Sequence, residues 1–418
     1  MLAAGAVAFG GGGDAGSARE AVVSPAHVRL IERRVEALRD PRFRRPVPVA
    51  IVSPAQARRE ATAEAERSQP PAGQRANEEL LKLLGLLPAR ADLGAIEGSV
   101  FEEQVAGYYD PRRKRLALVR GAGVDDITLA HELTHALEDQ HADLEGLGGG
   151  PRADDDARTA QQALVEGSAT LVMERYAERW PSDAPLGEAL SGLTQVTGAR
   201  PLPQYVARSL VFPYFQGEAF VQALLDADGG GWGLVNLAER ARPPVSTAEI
   251  LQPLRWLRAE QPLAVSLAGA ARALAAEGTG WHRVTGSTLG AEDVAALLSP
   301  SSGPAAARRL TASWRGGRYA LWRRGSLAAS AGCPTPCRAR DAAVLSVRVG
   351  TGPSARRLGR ALGRWLVQSL HARPLAAGAW RLPGGAAGAA RVRGTTVRVA
   401  LAPDAMLARR LADAPSDR

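Results

Sequence analysis

The sequence lacks several residue types and patterns, and each shortage excludes a class of protein. Its two cysteines, Cys333 and Cys337, are too few to form a structural zinc site by themselves. No stretch reaches the roughly 18 consecutive apolar residues of a membrane span, so we expect no transmembrane helix. The Gly-x-Ser-x-Gly motif is missing, which argues against a serine hydrolase. Zinc-finger, KH and RNP signatures are also missing, which argues against nucleic acid as a partner.

Positive charge is concentrated at one end of the chain. The formal net charge is +9, and Lys82 and Lys114 are the only lysines, so arginine supplies nearly all of the positive charge. Residues 303–418 carry 21 arginines and four acids, a net of +17 that leaves −8 for the other residues. This asymmetry predicts a domain boundary and an anionic envelope surface as a partner of the C-terminal unit. An arginine-rich composition without a binding role would explain the same excess.

Histidine is scarce but clustered. Three of the six histidines fall within residues 131–141. His131 and His135 are four positions apart, so on a helix their imidazoles leave the same face one turn apart. Two neutral imidazoles at this spacing can hold one zinc ion, and Glu132 lies about 100° round the helix, within reach of a metal-bound water. This His-Glu-x-x-His pattern is typical of zinc metallopeptidases.

The flanking residues predict the helix that this motif requires. Leucines and alanines at helical spacing surround the motif, and Asp125 or Asp126 can cap the N-terminus. Neither glycine nor proline interrupts residues 124–142, and a glycine-rich stretch from Gly146 ends the pattern. The alternative is a helix whose histidines lie on a solvated face.

Glu166 is the candidate for a third metal ligand. A catalytic zinc ion usually takes three protein ligands and a water. Residues 163–173 form a mostly apolar helical pattern interrupted by this one carboxylate. A charge in such a run needs a partner or a metal when it is buried. The alternative places Glu166 at the helix edge, facing water.

Together these residues resemble the gluzincin-type zinc metallopeptidases, in which a Glu-Gly-x-Ala helix often supplies the third ligand. The longer string from His131 to His141 is similar to a group of mostly exported bacterial members. The resemblance covers roughly residues 25–255. Besides His131-Glu132-x-x-His135, the matching pieces are Gly107-Tyr108-Tyr109-Asp110-Pro111, Glu166-Gly167-Ser168-Ala169, Tyr214-x-x-Gly217-x-x-Phe220-Val221 and Pro243-Pro244-Val245-Ser246-Thr247.

The resemblance implies a function and a ligand set. It implies a zincin-like domain that binds Zn²⁺ and hydrolyses a peptide or protein substrate by metal-activated water, without a covalent intermediate. The implied ligands are His131, His135 and Glu166, and the implied catalytic base is Glu132. The family pattern also leads us to expect a histidine near residues 250–253, where this chain has Gln252. A weaker resemblance covers residues 314–319.

Three tyrosines are candidates for stabilising the oxyanion that develops during hydrolysis. A phenol can donate a hydrogen bond to such an oxygen. Tyr214 and Tyr205 are the preferred candidates. Tyr176 is less convenient because it lies nearly three turns beyond Glu166 on the same helix. Each tyrosine is equally well interpreted as a core or rim residue.

Other polar residues near the motif are candidates for orienting the ligands. Asp139 and Thr170 lie one turn beyond His135 and Glu166, where a carboxylate or hydroxyl can hold a ligand in place. Both are also interpretable as ordinary polar helix residues. His141 could approach the metal only if the helix bends or ends near residue 140, and otherwise it is a structural residue at the helix end.

The order of predicted elements indicates an α+β fold in two units. Residues 21–255 are expected to form a mainly helical zincin-like domain with a small sheet, and residues 303–418 a smaller α+β domain. A helical connector at 256–302 would join them. Residues 99–120 predict a hairpin whose edge strand either aligns an extended peptide beside the metal helix or is purely structural. Residues 1–20 are interpreted as the remnant of a signal peptide or a disordered tail.

Periodicity also predicts the elements of the C-terminal half. We expect helices over residues 262–300 with a glycine-rich break at 278–290, and a further helix over 353–371. Strands are expected over 318–323, 342–349 and 391–402.

The leading hypothesis is therefore an exported zinc endopeptidase of the periplasm, the cell envelope or the extracellular space. The signal-like start favours export, and Cys333 and Cys337 could close a small disulfide in an oxidising compartment. A cytoplasmic location stays open. The alternative function is a non-catalytic envelope-binding protein with a structural zinc site and a basic C-terminal interaction domain.

Overall fold

The structure, a computed structural model, describes residues 8–9, 23–147, 154–181, 202–278, 280–325 and 335–415. Cys333 and most of the segment 1–20 lie outside these residues. Cys337 is described and is disulfide-bonded. The fold class is α+β, as the sequence predicts. Of the helices in the described ranges, none combines the length and the apolar character needed to cross a membrane.

The N-terminal unit is mainly helical. Two of its helices begin at a serine whose hydroxyl accepts the backbone N–H three residues on, with a proline directly after the serine. The helices are α1 (Pro25–Glu36), α2 (Pro54–Ser68), α3 (Pro71–Leu83), α4 (Leu93–Gln104), α5 (Asp126–Asp139), α6 (Asp155–Arg179), α7 (Gln204–Ala227), α8 (Gly233–Arg240), α9 (Thr247–Leu251) and α10 (Pro253–Leu257).

A small sheet belongs to the same unit. Its strands are, in spatial order, β1 (Ala8–Phe9), β3 (Val105–Asp110), β4 (Arg115–Val119) and β2 (Val49–Val52). β3 and β4 form the predicted hairpin, with Tyr109 opposite Leu116. Residues 99–104 of the predicted range lie in α4 instead, and β3 is not the predicted edge strand, because it pairs on both sides. β2 runs parallel to β4, and β1 pairs antiparallel with the other side of β3. β3 contacts α5, so the sheet lies directly against the helix that carries the histidine motif.

α5, α6 and α7 form the centre of this unit. α5 is enclosed, because every residue from Ile127 to Asp139 is buried. α6 and α7 approach backbone to backbone at Gly167 and Gly217. A Cβ on Gly167 would lie 2.0 Å from the carbonyl carbon of Gly217, and one on Gly217 would lie 1.9 Å from the Ala163 oxygen. Glycine at both positions therefore permits the contact that fixes Glu166 beside α7.

The C-terminal unit has helices on both faces of a seven-stranded antiparallel sheet. α12, α13 and α14 cover one face, and α11 and α15 cover the other. The strands in spatial order are β5 (Trp281–Thr285), β6 (Trp314–Arg324), β7 (Asp341–Val349), β11 (Thr396–Ala402), β10 (Ala387–Arg393), β9 (Ala379–Arg381) and β8 (Arg373–Leu375). The helices are α11 (Ala268–Ala276), α12 (Ala291–Ser302), α13 (Pro304–Thr311), α14 (Gly352–Gln368) and α15 (Ala405–Asp413).

Two stretches of this unit differ from the sequence-based expectation. The glycine-rich break at 278–290, inside the predicted connector, contains β5, which pairs with β6 as an edge strand of the large sheet. The single strand predicted over 391–402 is the β10–β11 hairpin, in which Arg393 faces Thr396 and Gly394 takes a φ of 58°. Apolar residues alternate on both sides of this turn, so the periodicity alone does not show it.

Aspartates at the start of α6 join this helix to the C-terminal unit. The Thr288 hydroxyl donates to the Asp154 carboxylate, and the Tyr319 hydroxyl donates to Asp155 at 2.8 Å. The N-terminal end of α6 is therefore fixed to the second unit, while Glu166 lies in the middle of the same helix.

Candidate metal centre

The two imidazoles and the Glu166 carboxylate converge. His131 Nε2 and His135 Nε2 are 3.1 Å apart, and Glu166 Oε2 lies 3.3 Å from the first and 3.5 Å from the second. The exposed fractions of the three residues are 4, 2 and 3 %. This burial excludes the interpretations in which the histidines lie on a solvated face and Glu166 faces water.

The local sequence explains how α5 presents its histidines. The Asp125 carboxylate accepts the Thr128 N–H at 2.7 Å and so caps the N-terminus, as predicted. His131 and His135 then project from one face of the helix, with their ring centroids 4.7 Å apart. Apolar residues on the other faces, such as Leu129 and Leu133, are fully buried in the core. The core therefore fixes the rotation of α5 that points both imidazoles at Glu166.

The separations between the three donor atoms fit a small cation. Donor atoms around a tetrahedral zinc ion with bonds of about 2.0–2.1 Å are about 3.3–3.4 Å apart. The three separations here differ from that value by a few tenths of an ångström at most. Two imidazole nitrogens and one carboxylate oxygen are also a donor set that zinc accepts.

Glu132 lies beside this triangle. Its ligand-capable oxygen and the imidazole nitrogens are within 4.8 Å of one another. Glu166 makes the closer approach to both nitrogens, so it is the better placed of the two carboxylates to complete a metal site. Glu132 Oε2 accepts the backbone N–H of Tyr109 at 2.6 Å. Oε1 has no hydrogen bond among the described residues, although the residue is fully buried.

The centre contains more buried carboxyl groups than buried guanidinium groups. Glu132, Glu138, Glu166 and Glu239 are buried carboxylates, and the buried cation in contact with this group is Arg39. Glu138 Oε2, Glu166 Oε2 and His135 Nδ1 also lack a hydrogen bond within the described ranges. Buried polar atoms are seldom left unpaired. The excess of carboxyl groups and the unpaired Glu166 Oε2, which faces both Nε2 atoms, therefore fit a bound divalent cation.

A buried network behind His135 was not predicted from the sequence. His135 Nδ1 faces the Glu138 carboxylate at 3.9 Å. The other oxygen, Oε1, accepts from the Ser168 hydroxyl and lies 3.4 Å from Arg39 Nε. Arg39 in turn forms a bidentate pair with Glu239 at 2.7 and 2.9 Å. Glu138 therefore occupies the carboxylate position behind a ligand imidazole, and residues from α6, α8 and the end of α1 hold it there.

The carboxylates of the centre differ in proton affinity. Burial alone would raise the pKa of Glu166, but the contacts with both imidazoles outweigh burial and lower it to about 2. Burial raises the pKa of Glu132 to about 8, because His135 and the Tyr109 N–H compensate only in part. Glu166 is therefore an anion suited to ligation, and Glu132 can take up a proton near neutral pH.

The two residues predicted to orient the ligands, Asp139 and Thr170, do not contact the imidazoles. Asp139 accepts from the Tyr109 hydroxyl at 2.7 Å and from Lys114 Nζ at 2.9 Å. The Thr170 hydroxyl donates to the main-chain oxygen of Glu166 at 2.7 Å, so it supports the helix backbone rather than the carboxylate. The carboxylate beside a ligand is Glu138, one residue before Asp139.

The three tyrosine candidates lie in different places, and one of them borders the centre. Tyr214 stacks near His131, with ring centroids 6.2 Å apart, so it is the candidate that borders the centre. Tyr205 lies elsewhere, in a cavity that it lines together with Asp155, Asp293 and Tyr319. The Tyr176 hydroxyl accepts from Arg34 at 2.7 Å, near the start of α5.

Two further residues lie away from the metal ligands. His141 follows the end of α5, and its Nε2 contacts the main-chain oxygen of Arg42 at 2.7 Å. It is therefore a structural residue at the helix end. Gln252 donates to the Ala312 oxygen at 3.0 Å, which joins the N-terminal unit to the residues before β6.

The fold and the site together define an α+β protein with a buried His-Glu-x-x-His…Glu constellation. In comparisons with known proteins, the model of a family described as a domain of unknown function, DUF8575, matches residues 277–412. The match begins just before β5 and ends in α15, so the metal centre lies outside it. No curated protein and no solved structure matches the chain. The support for the metal centre is therefore its own geometry.

Proposed function

We propose that the protein is a zinc-dependent peptidase. The observation that carries the proposal is the convergence of His131, His135 and Glu166 on one point, with Glu132 beside it. The mixed nitrogen and oxygen donor set favours zinc over magnesium and calcium, which prefer oxygen ligands. Three protein donors leave a fourth position open, as in catalytic rather than structural zinc sites.

Zinc held by these side chains would supply a water of lowered pKa and a Lewis acid for the substrate carbonyl. Glu132 keeps Oε2 on the Tyr109 N–H and leaves Oε1 free of hydrogen bonds within the described ranges. Oε1 is therefore the atom at which Glu132 takes up a proton and from which it returns the proton to the leaving amine. Burial raises the pKa of Glu132 above its ordinary value, which favours its holding the proton between the two transfers.

The proposed substrate is an extended peptide. β3 borders the centre, because its Tyr109 N–H binds Glu132. Along the same strand, Ala8 pairs with Gly107 and Phe9 with Val105 in antiparallel register. An extended peptide substrate would pair with this side of β3 in place of β1.

We further propose an oxidising compartment outside the cytoplasm. Cys337 is disulfide-bonded, and such bonds persist mainly where the cytosolic thiol pools do not reduce them. Thiol labelling of the protein in its native host tests this assignment. A cysteine that reacts without prior reduction would contradict it.

A conservative substitution of the base tests the peptidase proposal. Wild type, Glu132→Gln and the control Glu178→Gln, whose side chain is exposed on α6, would be compared for zinc content and for cleavage of a broad peptide library. We expect zinc in all three proteins and a loss of about 10²–10⁴-fold in hydrolysis for Glu132→Gln alone. Folded, zinc-loaded wild type that cleaves nothing in the library would contradict the proposal, and so would full activity of Glu132→Gln.

The second candidate is a non-catalytic envelope-binding protein with a structural zinc, which the net charge of +17 over residues 303–418 favours. Chelation distinguishes the two. A structural ion contributes folding energy, so its removal should unfold the chain. The centre lies within a large apolar core, so we expect chelation to leave the fold largely intact and to remove the activity.

A further inference from the structure

The outer face of α14 carries arginines without acidic neighbours. Residues 342–403 contain ten arginines and neither aspartate nor glutamate. The arginines of α14 are all exposed, and at 100° per residue they fall within an arc of about 100°. Along the helix axis, the first and the last of these arginines are about 12 Å apart, and we call the set the arginine row. The row consists of Arg356, Arg357, Arg360 and Arg364.

Within the described ranges the fold does not neutralise this arginine row. The ion pairs of the C-terminal unit use other arginines, such as Arg315, Arg391 and Arg410. None of the row's guanidinium groups has a described carboxylate oxygen within 4.0 Å. Members of the row are spaced three or four residues apart, a spacing at which like charges destabilise a helix. The row is therefore unfavourable for the isolated chain and suited to an external anion.

The apolar side of α14 is not available to a partner. Leu358, Leu362 and Trp365 are buried against the strands of the large sheet. α12 and α13 pack beside α14 on the same face of the sheet. A partner therefore meets the arginine row and one apolar side chain within its arc, Val367, which is 39 % exposed. A single valine gives little apolar area for insertion, so the contact is mainly electrostatic and peripheral.

We propose that the arginine row docks the protein on an anionic phospholipid surface. A guanidinium group binds phosphate oxygens through paired N–H donors. A flat lipid surface offers phosphates to the whole row at once. A nucleic-acid groove about 12 Å wide would require a helix that projects from the protein, whereas α12 and α13 flank α14. The exposed arc also carries no aromatic side chain for stacking on bases.

Two triple variants with equal charge loss test the proposal on the full chain. The test variant is Arg356→Gln, Arg360→Gln and Arg364→Gln. The control variant, Arg348→Gln, Arg373→Gln and Arg381→Gln, removes three exposed arginines from the opposite face of the sheet. Binding is measured by co-sedimentation with phosphatidylglycerol–phosphatidylcholine vesicles and with pure phosphatidylcholine vesicles, at low and at physiological ionic strength. Thermal unfolding checks that both variants fold.

We expect wild type to bind the anionic vesicles alone and to dissociate as salt is added. The test variant should bind on the order of 100-fold more weakly, since each of the three arginines contributes about fivefold to binding at an anionic surface. The control variant should stay within about threefold of wild type. Equal weakening by both variants would show an effect of net charge and overturn the proposal. No binding of wild type would overturn it as well, as would a clear preference for duplex DNA that the test variant abolishes.

Discussion

Glu138→Gln is expected to weaken metal binding more than it weakens the fold. Glu138 is 2 % exposed and faces His135 Nδ1 at 3.9 Å. The substitution keeps the shape of the side chain but removes the negative charge behind a ligand imidazole. Loss of such a partner typically lowers metal affinity 10- to 100-fold, or about 1.4–2.8 kcal/mol.

The cost to folding is limited because Arg39 keeps other partners. A buried charge left without compensation costs about 3–5 kcal/mol. Arg39 retains its bidentate pair with Glu239 and its hydrogen bond to Asn236 at 2.7 Å. The loss is therefore closer to that of one buried hydrogen-bonding group, about 1–3 kcal/mol.

Glu239→Gln is the matched control, because it touches the same guanidinium group but not His135. Glutamine at position 239 keeps a hydrogen-bond acceptor for Arg39, and Glu138, 3.4 Å from Arg39 Nε, then remains as the charged partner of that guanidinium group. We expect its zinc dissociation constant to stay within about threefold of wild type. The assay is competition for zinc with a chromophoric chelator, with denaturant unfolding of the metal-free proteins alongside. Equal zinc affinities of Glu138→Gln and wild type, or equal losses in both variants, would refute the assigned role of Glu138.

The remaining predictions concern packing and pH. Gly167→Ala should destabilise the fold by about 3 kcal/mol or more in urea unfolding, because its Cβ would lie 2.0 Å from the backbone of α7. Gly98→Ala in α4 would have open space around its Cβ, so it should instead raise the free energy of unfolding by about 0.5–1 kcal/mol. Equal effects at the two sites would contradict the close contact between α6 and α7 at Gly167. The metal-free protein should lose stability as the pH rises from 4.5 to about 8, because folded Glu132 binds its proton more tightly than the unfolded chain does. Glu132→Gln should flatten this slope in melting curves with chelator, and an unchanged slope would count against the raised pKa.

The convergence of the three candidate ligands was predictable from the sequence because it depends on local features. The spacing of His131 and His135 fixes their common face, and Glu166 stands alone in an apolar run. The residues behind the ligands depend on tertiary packing. Positions three and four beyond His135 are both near its face, so spacing alone does not choose between Glu138 and Asp139. The rotation of α5 against α6 makes that choice.

The network around Arg39 could not be derived at all from local patterns. Its partners Glu138, Ser168 and Glu239 belong to three different helices, and each is an ordinary polar residue in its own segment. The burial of Arg39 and its choice of partners can be recognised only from the packing of these helices. The same limit explains β5, whose residues give a weak periodic signal and acquire strand structure by pairing with β6.

The long helix α6 links the candidate site to the C-terminal unit. Glu166 lies 11 residues beyond Asp155, roughly 16 Å along one uninterrupted helix whose first turn is bonded to Tyr319. The region that matches DUF8575 contains Tyr319 and therefore holds the N-terminal end of the helix that carries Glu166. A tilt of that region would shift the Glu166 carboxylate relative to the two imidazoles, so the family boundary near residue 277 does not separate the candidate site from the C-terminal unit.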